Sequence, residues 1–396
     1  MIQIKLDKKT KIQIKGLHWL WFWNRLNEKK LYLTSGTLSA FQFLHNGLGW
    51  TKKDFYKIVC GEYDDLSEFI KSTNNYNRDI INFFRLQPPT LEFFKWNVGN
   101  RNYGPDKTSR KIKDIVFDCF GYNDFRCGSF KFKNQVRPDC VKNWSAYSFV
   151  EKMKIEVCPY CNKEYIPIIK TNNKFRAEID HFFPEAEYPF LSCSLFNFIP
   201  SCLICNHHKN DTYNKYDSLG NIKLTIYPYT EGFEEFDDNG KIKKNAVFKA
   251  IPGTGNLYES KKIELEYKNP SLEDKMKKSN DAFLIEELYN TCQTELEDLL
   301  TRYRNYAEPK IQNIVSMLSI DVQDKLKSLN ISEKQMDDLL KNISLSFNKS
   351  MRDQILGIPL DSAGKEVNKE YPFRKFKKDI IKQLDDWVGQ KTPGTI

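Results

Sequence analysis

Four cysteines stand in two close pairs, Cys158-Pro159-Tyr160-Cys161 and Cys202-Leu203-Ile204-Cys205, with Asp180-His181 and Asn197 between them. Two C-x-x-C knuckles supply four thiolates, the donor set of a closed tetrahedral zinc site. Such a site adds folding energy and leaves no open coordination position. Chemistry would therefore fall to residues that the metal holds in place. A carboxylate such as Asp180 can ligate a metal. An imidazole such as His181 titrates near neutrality and can serve as a general base without large tuning. Asn206 follows Cys205 directly and lies four residues before Asn210, so the two share a face if this segment is helical; His207 and His208 then project elsewhere. Asn197 could hold the His181 imidazole through its amide and set its tautomer. Taken singly, each of these polar residues also reads as a turn, cap or surface residue. Their order between two knuckles singles them out.

The elements around them must place these side chains. "EYIPIIK" and "KFRAEID" are strand-like runs on either side of Thr171-Asn172-Asn173, which predicts a hairpin, and "LICNHHKNDTYNKY" could start a helix. Neighbours in a strand point to opposite faces. With the strand ending or bending before Pro184, Asp180 could face a metal while His181 faces an attacking water. Upstream, "KIQIKGL" alternates like a strand, "DDLSEFIKS" reads as an amphipathic helix and "LHWLWFW" as core. "QPPT" and "GNRNYGPDKTSRK" read as loops. From Glu231 to Tyr267 strand-like pieces recur, with Asp238-Asn239-Gly240 as a hairpin turn. Beyond Ser271, Leu284, Leu288, Leu296, Leu299 and Tyr303 recur at helical spacing. Pro309 ends or kinks that helix, and Ser332 to Gln335 has capping-box form. In "YPFRKFKKDIIKQL", Pro372 marks a helix start with a basic first turn, suited to a phosphate, an acidic partner or simply solvent.

The 396 residues allow two or three domains. No run of about eighteen apolar residues is present to cross a membrane, and the apolar N-terminal stretch lacks a cleavage site, which predicts a cytoplasmic protein. A net charge of +9 suits a polyanionic partner, although a solvated basic face would carry the same charge. Ten cysteines in a chain without an export signal favour metal over disulfides. The six outside the knuckles (Cys60, Cys119, Cys127, Cys140, Cys193, Cys292) show no ligand spacing and read mostly as small buried residues.

In the order C-x-x-C, Asp-His, Asn, C-x-x-C-Asn, the chain resembles the HNH endonuclease family. "CPYCN", "IDHFFP", "YPFLSCSLFNFIPSC" and "CNHHK" more narrowly resemble the HNH nucleases of Septu-type and retron-associated anti-phage systems. The likeness covers about residues 144 to 210, with a weaker echo in "YPFRKFKKDII". It implies an α+β fold: a zinc-stapled ββα-metal core over 141–230, a mixed scaffold or partner-binding region over 1–140, and a β-containing linker with a helical domain over 231–396. It implies His181 as general base, Asp180 and Asn206 as ligands of a catalytic Mg2+ or Mn2+, and Asn197 as the residue that orients the base. Hard oxygen donors suit those ions. Asn210 is a further candidate ligand by helical geometry alone. Lys209 and Arg176 would position the backbone of a nucleic acid, DNA favoured over RNA. An ATPase subunit is the implied partner; this chain has no P-loop of its own. The competing expectation is a non-catalytic zinc module that binds nucleic acid or protein.

Overall fold

A computed structural model describes residues 1–33, 36–72, 107–132, 139–169, 175–209, 211–217, 221–236, 242–305, 352–360 and 370–391. The chain divides into two compact units, Met1–Lys241 with Asp274–Phe283, and Ile242–Glu273 with Leu284–Ile396. The fold is α+β. No described helix is long and apolar enough to cross a membrane.

The first unit begins with helix α1 (Lys8–Glu28), capped by Asp7, whose side chain accepts from the Thr10 amide at 2.9 Å. Its buried side is Ile14, His18, Trp21, Phe22, Arg25 and Leu26, a helical stripe. The strand expected for "KIQIKGL" is thus part of a helix. A strand would have put Ile12 and Ile14 on one face, but Ile14 is buried and Ile12 is 62% exposed. Strands β1 (Lys30–Leu33) and β2 (Gly36–Ser39) pair antiparallel. Helices α2 (Ala40–Leu48), α3 (Lys52–Cys60), α4 (Tyr63–Ser72), α5 (Lys107–Phe120), α6 (Tyr122–Cys127), α7 (Asp139–Lys142) and α8 (Ala146–Met153) follow. The helix expected at 64–72 is α4. Of the loop expected over 99–111, residues 107–111 open α5, and its remainder and "QPPT" lie outside the described residues. Arg25 is buried and donates to Asp124, to the Cys119 carbonyl and to the Asp118 carbonyl. Gly121 allows this approach. It has φ of +78°, and a Cβ there would lie 2.1 Å from the Arg25 guanidinium carbon.

Residues 156–166 form a tight hairpin, with the Cys158 amide donating to Glu164 at 2.9 Å and the Ile166 amide to Glu156 at 2.8 Å. A second short pairing joins Ile169 and Phe175 across Thr171–Asn173, which lie outside the described residues. Strand β3 (Glu178–His181) then pairs antiparallel with β4 (Phe198–Ser201), in a register that sets Asp180 opposite Ile199 and His181 opposite Phe198. Helix α9 (Leu203–Lys209) follows at once. The order is therefore strand, strand, helix. Phe198 also stacks on Phe125 at 5.4 Å and meets Phe149 at 5.7 Å, so the aromatic core of the N-terminal helices grips the strand beside His181.

The remaining elements are β5 (Glu234–Phe236), β6 (Ile242–Lys244), β7 (Ala246–Ile251), β8 (Lys262–Tyr267) and the helices α10 (Glu273–Phe283), α11 (Ile285–Asn290), α12 (Gln293–Asn305) and α13 (Arg374–Lys391). The turn expected at Asp238–Gly240, Pro309 and the capping box at Ser332–Gln335 lie outside the described residues. The single helix expected from Leu284 to Tyr303 is two, α11 and α12, with Leu284 in a left-handed conformation before the first. In the second unit β7 and β8 form a two-stranded sheet whose outer edges are bonded by helix side chains. From α13, Lys375 donates to the Ala246 carbonyl, Asp379 accepts from the Phe248 amide, and Gln383 bonds both backbone groups of Ala250. From α11, Asn290 does the same for Ile263 and Glu286 accepts from the Leu265 amide. Edge strands need such cover. The basic first turn of α13 is accordingly not a solvent face. Arg374 and Lys375 are buried, Lys375 against Asp379 at 2.7 Å and Arg374 against Glu370 at 3.4 Å.

Candidate metal centre and active site

Cys158 and Cys161 lie in the turn of the 156–166 hairpin, and Cys202 and Cys205 flank the start of α9. Their four sulfurs are buried and all within 4.8 Å of one another. Cys161 and Cys202 are 4.0 Å apart. A tetrahedral zinc with bonds of about 2.3 Å needs sulfurs about 3.8 Å apart, so the group could hold a metal such as zinc with small adjustments. Backbone amides support the sulfurs, Lys163 on Cys161 at 3.4 Å and Cys205 on Cys202 at 3.5 Å. Asn162 closes the first knuckle in a left-handed conformation, which Asn tolerates. The mutual hydrogen bonds of the four cysteines hold the Cys161 and Cys202 thiols below the ordinary range, while burial with those bonds pushes Cys158 and Cys205 above it. Among the described residues this is the one group of three or more His, Cys, Asp or Glu side chains placed to hold an ion. Of the other six cysteines, Cys60, Cys119 and Cys193 are buried as expected, while Cys127 and Cys140 are exposed and Cys292 is intermediate.

Adjacent positions on β3 send Asp180 and His181 to different partners. The Asp180 carboxylate accepts from Lys209 Nζ at 2.9 and 2.8 Å and from the Tyr160 hydroxyl at 2.6 Å. Lys209 also donates to the His181 carbonyl and is only 1% exposed. The expectation that Lys209 faces solvent and a phosphate backbone is corrected here; its ammonium is drawn inward by Asp180. Tyr160 lies inside the first knuckle, stacked on Phe283 at 4.0 Å. Burial and the Asp180 charge push its hydroxyl well above the usual phenol range, so it remains a donor. Both knuckles are thus tied to Asp180, one through Tyr160 and the other through Lys209 at the end of α9.

His181 packs edge-on to Tyr122 at 4.5 Å and to Phe198 at 5.4 Å. Its Nε2 lies 2.9 Å from the Ser192 carbonyl, and Nδ1 lies 3.2 Å from Glu185 Oε2. A carbonyl only accepts, so Nε2 carries the hydrogen and the neutral ring keeps its lone pair on Nδ1. Glu185 Oε2 is itself buried and accepts no hydrogen bond. A second buried histidine makes the contrast. His18 Nε2 donates to the next carbonyl, Cys193, at 2.8 Å, but its Nδ1 accepts from the Trp144 indole at 3.1 Å. Burial pushes its pKa down to about 4. His18 therefore meets a donor at Nδ1, and His181 a carboxylate.

Asn197 does not hold the imidazole as expected. Its amide is fully spent on backbone, accepting from the Phe183 amide at 2.7 Å and donating to the Phe183 and Leu191 carbonyls at 3.0 and 3.2 Å. It reaches His181 through the loop, since Leu191 precedes the Ser192 carbonyl that fixes Nε2. Asn206 is half-buried on α9, three residues before Lys209 and so on the same helix face. Asn210 lies outside the described residues, and His207 and His208 are exposed. Arg176 is half-buried, donating to the Ala177 carbonyl at 2.6 Å and lying over the Tyr147 ring. The donor chemistry of Asp180 and Asn206 suits Mg2+ or Mn2+, but both Asp180 oxygens already bond an ammonium. As folded, the set does not fit a resident divalent ion. Sequence reasoning missed Glu185, whose signal was its position four after His181, and Tyr160, hidden among the variable residues of a knuckle.

No family model and no solved structure matches the chain. It is similar to Protein ea31 of Escherichia phage lambda, 31% identical over 103 residues. Those residues are 25% of this chain, and the match spans 30% of the phage protein's length.

Proposed function

We propose that this chain is an HNH-type nuclease that hydrolyses phosphodiester bonds of nucleic acid, DNA favoured over RNA, with zinc on the four cysteines as a structural staple. The observation that carries the reading is His181: its Nε2 is fixed by the Ser192 carbonyl and its Nδ1 faces the unbonded oxygen of Glu185. In this mechanism a water takes the place of Glu185 at Nδ1 and gives Nδ1 its proton; its oxygen bonds to phosphorus as the bond from phosphorus to one sugar oxygen breaks, that oxygen leaves with a proton from solvent, and Glu185 stabilises the imidazolium. Asp180 keeps the strand and the His181 main chain in place through Lys209. The Mg2+ or Mn2+ implied by the HNH resemblance meets an Asp180 already committed to Lys209, and no step here runs through such an ion. The same resemblance suggests work in anti-phage defence beside an ATPase subunit, which co-purification from the native host would recover. The test of the nuclease reading is cleavage of duplex DNA, single-stranded DNA and RNA, with and without added Mg2+ or Mn2+, by wild type and His181→Ala. Loss of the base should slow cutting by about a hundredfold or more. A folded, zinc-loaded variant that cuts as fast as wild type rejects His181 as the base.

A second reading rests on Asp180 and Asn197, whose side chains are wholly engaged in internal bonds, as in a structural polar core. It makes the chain a zinc module that binds nucleic acid or protein without cutting. Wild type that binds DNA in every metal condition and never cleaves it selects this reading.

A further inference from the structure

The Asp180 pocket is built around a cation. Lys209 has three ammonium hydrogens, and three oxygens take them: Asp180 Oδ1, Asp180 Oδ2 and the His181 carbonyl. No donor is left over, and the side chain is almost wholly buried. Tyr160 adds a hydrogen bond to Oδ2 from the other side, so that oxygen has both lone-pair directions occupied. Two carboxylate oxygens and a main-chain carbonyl are also the donors a hard divalent ion would seek. The lysine nitrogen stands at the point on which they converge. Its reach is fixed by the fold: Lys209 ends α9, four residues after Cys205, and Asp180 is held in register on β3 opposite Ile199. A divalent ion bound to the same oxygens would sit against a buried ammonium with little solvent to screen it.

We infer that Lys209 is the resident cation of the Asp180 site and keeps Mg2+ or Mn2+ out of it. The lysine and the metal are alternatives at Asp180, not companions. Asp180 with Lys209 is then charge-neutral, and the pair positions the His181 main chain without any exchangeable ion. Ion binding at Asp180 is independent of whether the chain cuts nucleic acid.

The experiment uses the zinc-loaded full chain, zinc content being measured in every sample. In 15N-labelled wild type, the Lys209 ammonium resonance, assigned by its loss in Lys209→Met, should be visible because the group is buried. It should persist unchanged through a titration with excess Mg2+. Mn2+ followed by electron paramagnetic resonance should show no bound fraction in wild type that disappears in Asp180→Asn. In Lys209→Met the same carboxylate is released, and Mn2+ should bind there tighter by roughly tenfold or more, the ordinary size of a coupling between two competing occupants. Asp180→Asn added to Lys209→Met should abolish the gain. Loss of the Lys209 resonance on adding Mg2+ overturns the inference, as does Asp180-dependent Mn2+ binding by wild type. A folded Lys209→Met that binds Mn2+ no better than wild type overturns it too. Should Lys209→Met fail to fold, the wild-type Mn2+ comparison with Asp180→Asn decides the matter alone.

Discussion

Truncating Asn197 to Ala removes a fully buried amide that makes three hydrogen bonds to backbone, one accepted from Phe183 and two donated to Phe183 and Leu191. At about 1 kcal/mol net for each bond, the loss is about 3 kcal/mol. The real cost leans higher, because the alanine methyl leaves the Phe183 N–H and carbonyl buried without these partners, while the Leu191 carbonyl keeps its bond from the Ser194 amide. Domains are stable by only about 5–15 kcal/mol, so this single side chain carries a substantial share. A change of about 3 kcal/mol is more than a hundredfold in the folding equilibrium. The assay is urea denaturation of the zinc-loaded protein, with Asn27→Ala as the matched control. Asn27 is exposed and makes one bond to the Trp23 carbonyl within its own helix, so that variant should shift stability by no more than about 0.5 kcal/mol. Because Asn197 fixes the carbonyl next to the one that holds His181, the nuclease reading adds a lower kcat with zinc content unchanged. An Asn197→Ala protein that loses less than about 1 kcal/mol refutes the account of the loop.

Three further outcomes are expected. Withdrawing metal from the four-cysteine group with a chelator, or replacing Cys158 by Ser, should unfold the 156–209 segment, since structural zinc contributes about 10–16 kcal/mol in minimal domains; metal analysis and amide exchange read this. His18 is buried neutral with a pKa near 4 against an ordinary value of 6.5. The unfolded chain takes up a proton that the folded chain refuses. The stabilisation is therefore complete above pH 6.5 and lost as pH falls toward about 4, by about 3 kcal/mol, and His18→Gln should flatten stability curves over that window. Asp379 accepts from Lys375 at 2.7 Å, Lys244 at 2.6 Å and the Phe248 amide at 3.1 Å, all at a buried carboxylate. Asp379→Ala should cost about 3–5 kcal/mol in chemical denaturation, because two ammonium groups lose their counter-ion.

The metal centre was legible because its information is local: two C-x-x-C knuckles have one common use, and the thiols do converge. The helix at α4 and the helical spacing of Leu296 and Leu299 on α12 were legible for the same reason. What failed depended on partners far away in sequence. "KIQIKGL" alternates over a few residues, yet burial on the long helix is decided by Phe55, Phe120 and Phe125, which no short window contains. Lys209 looks like one more surface lysine in a basic chain, and it is buried only because Asp180, twenty-nine positions earlier, is on the facing strand. Arg374 and Lys375 repeat the lesson on α13. The two buried histidines state it most sharply. Both give Nε2 to neighbouring carbonyls of one short loop, Cys193 for His18 and Ser192 for His181. Spacing alone marks His181, because it adjoins Asp180 between the knuckles, and passes over His18 in an apolar helix. What separates the two is the group at Nδ1, an indole donor for His18 and a carboxylate for His181. Exchanging that single partner is therefore the decisive chemical difference between them. On the nuclease reading, Glu185→Gln, which can donate to Nδ1 as Trp144 donates to His18, should slow cleavage in the same assay as His181→Ala while zinc content stays unchanged.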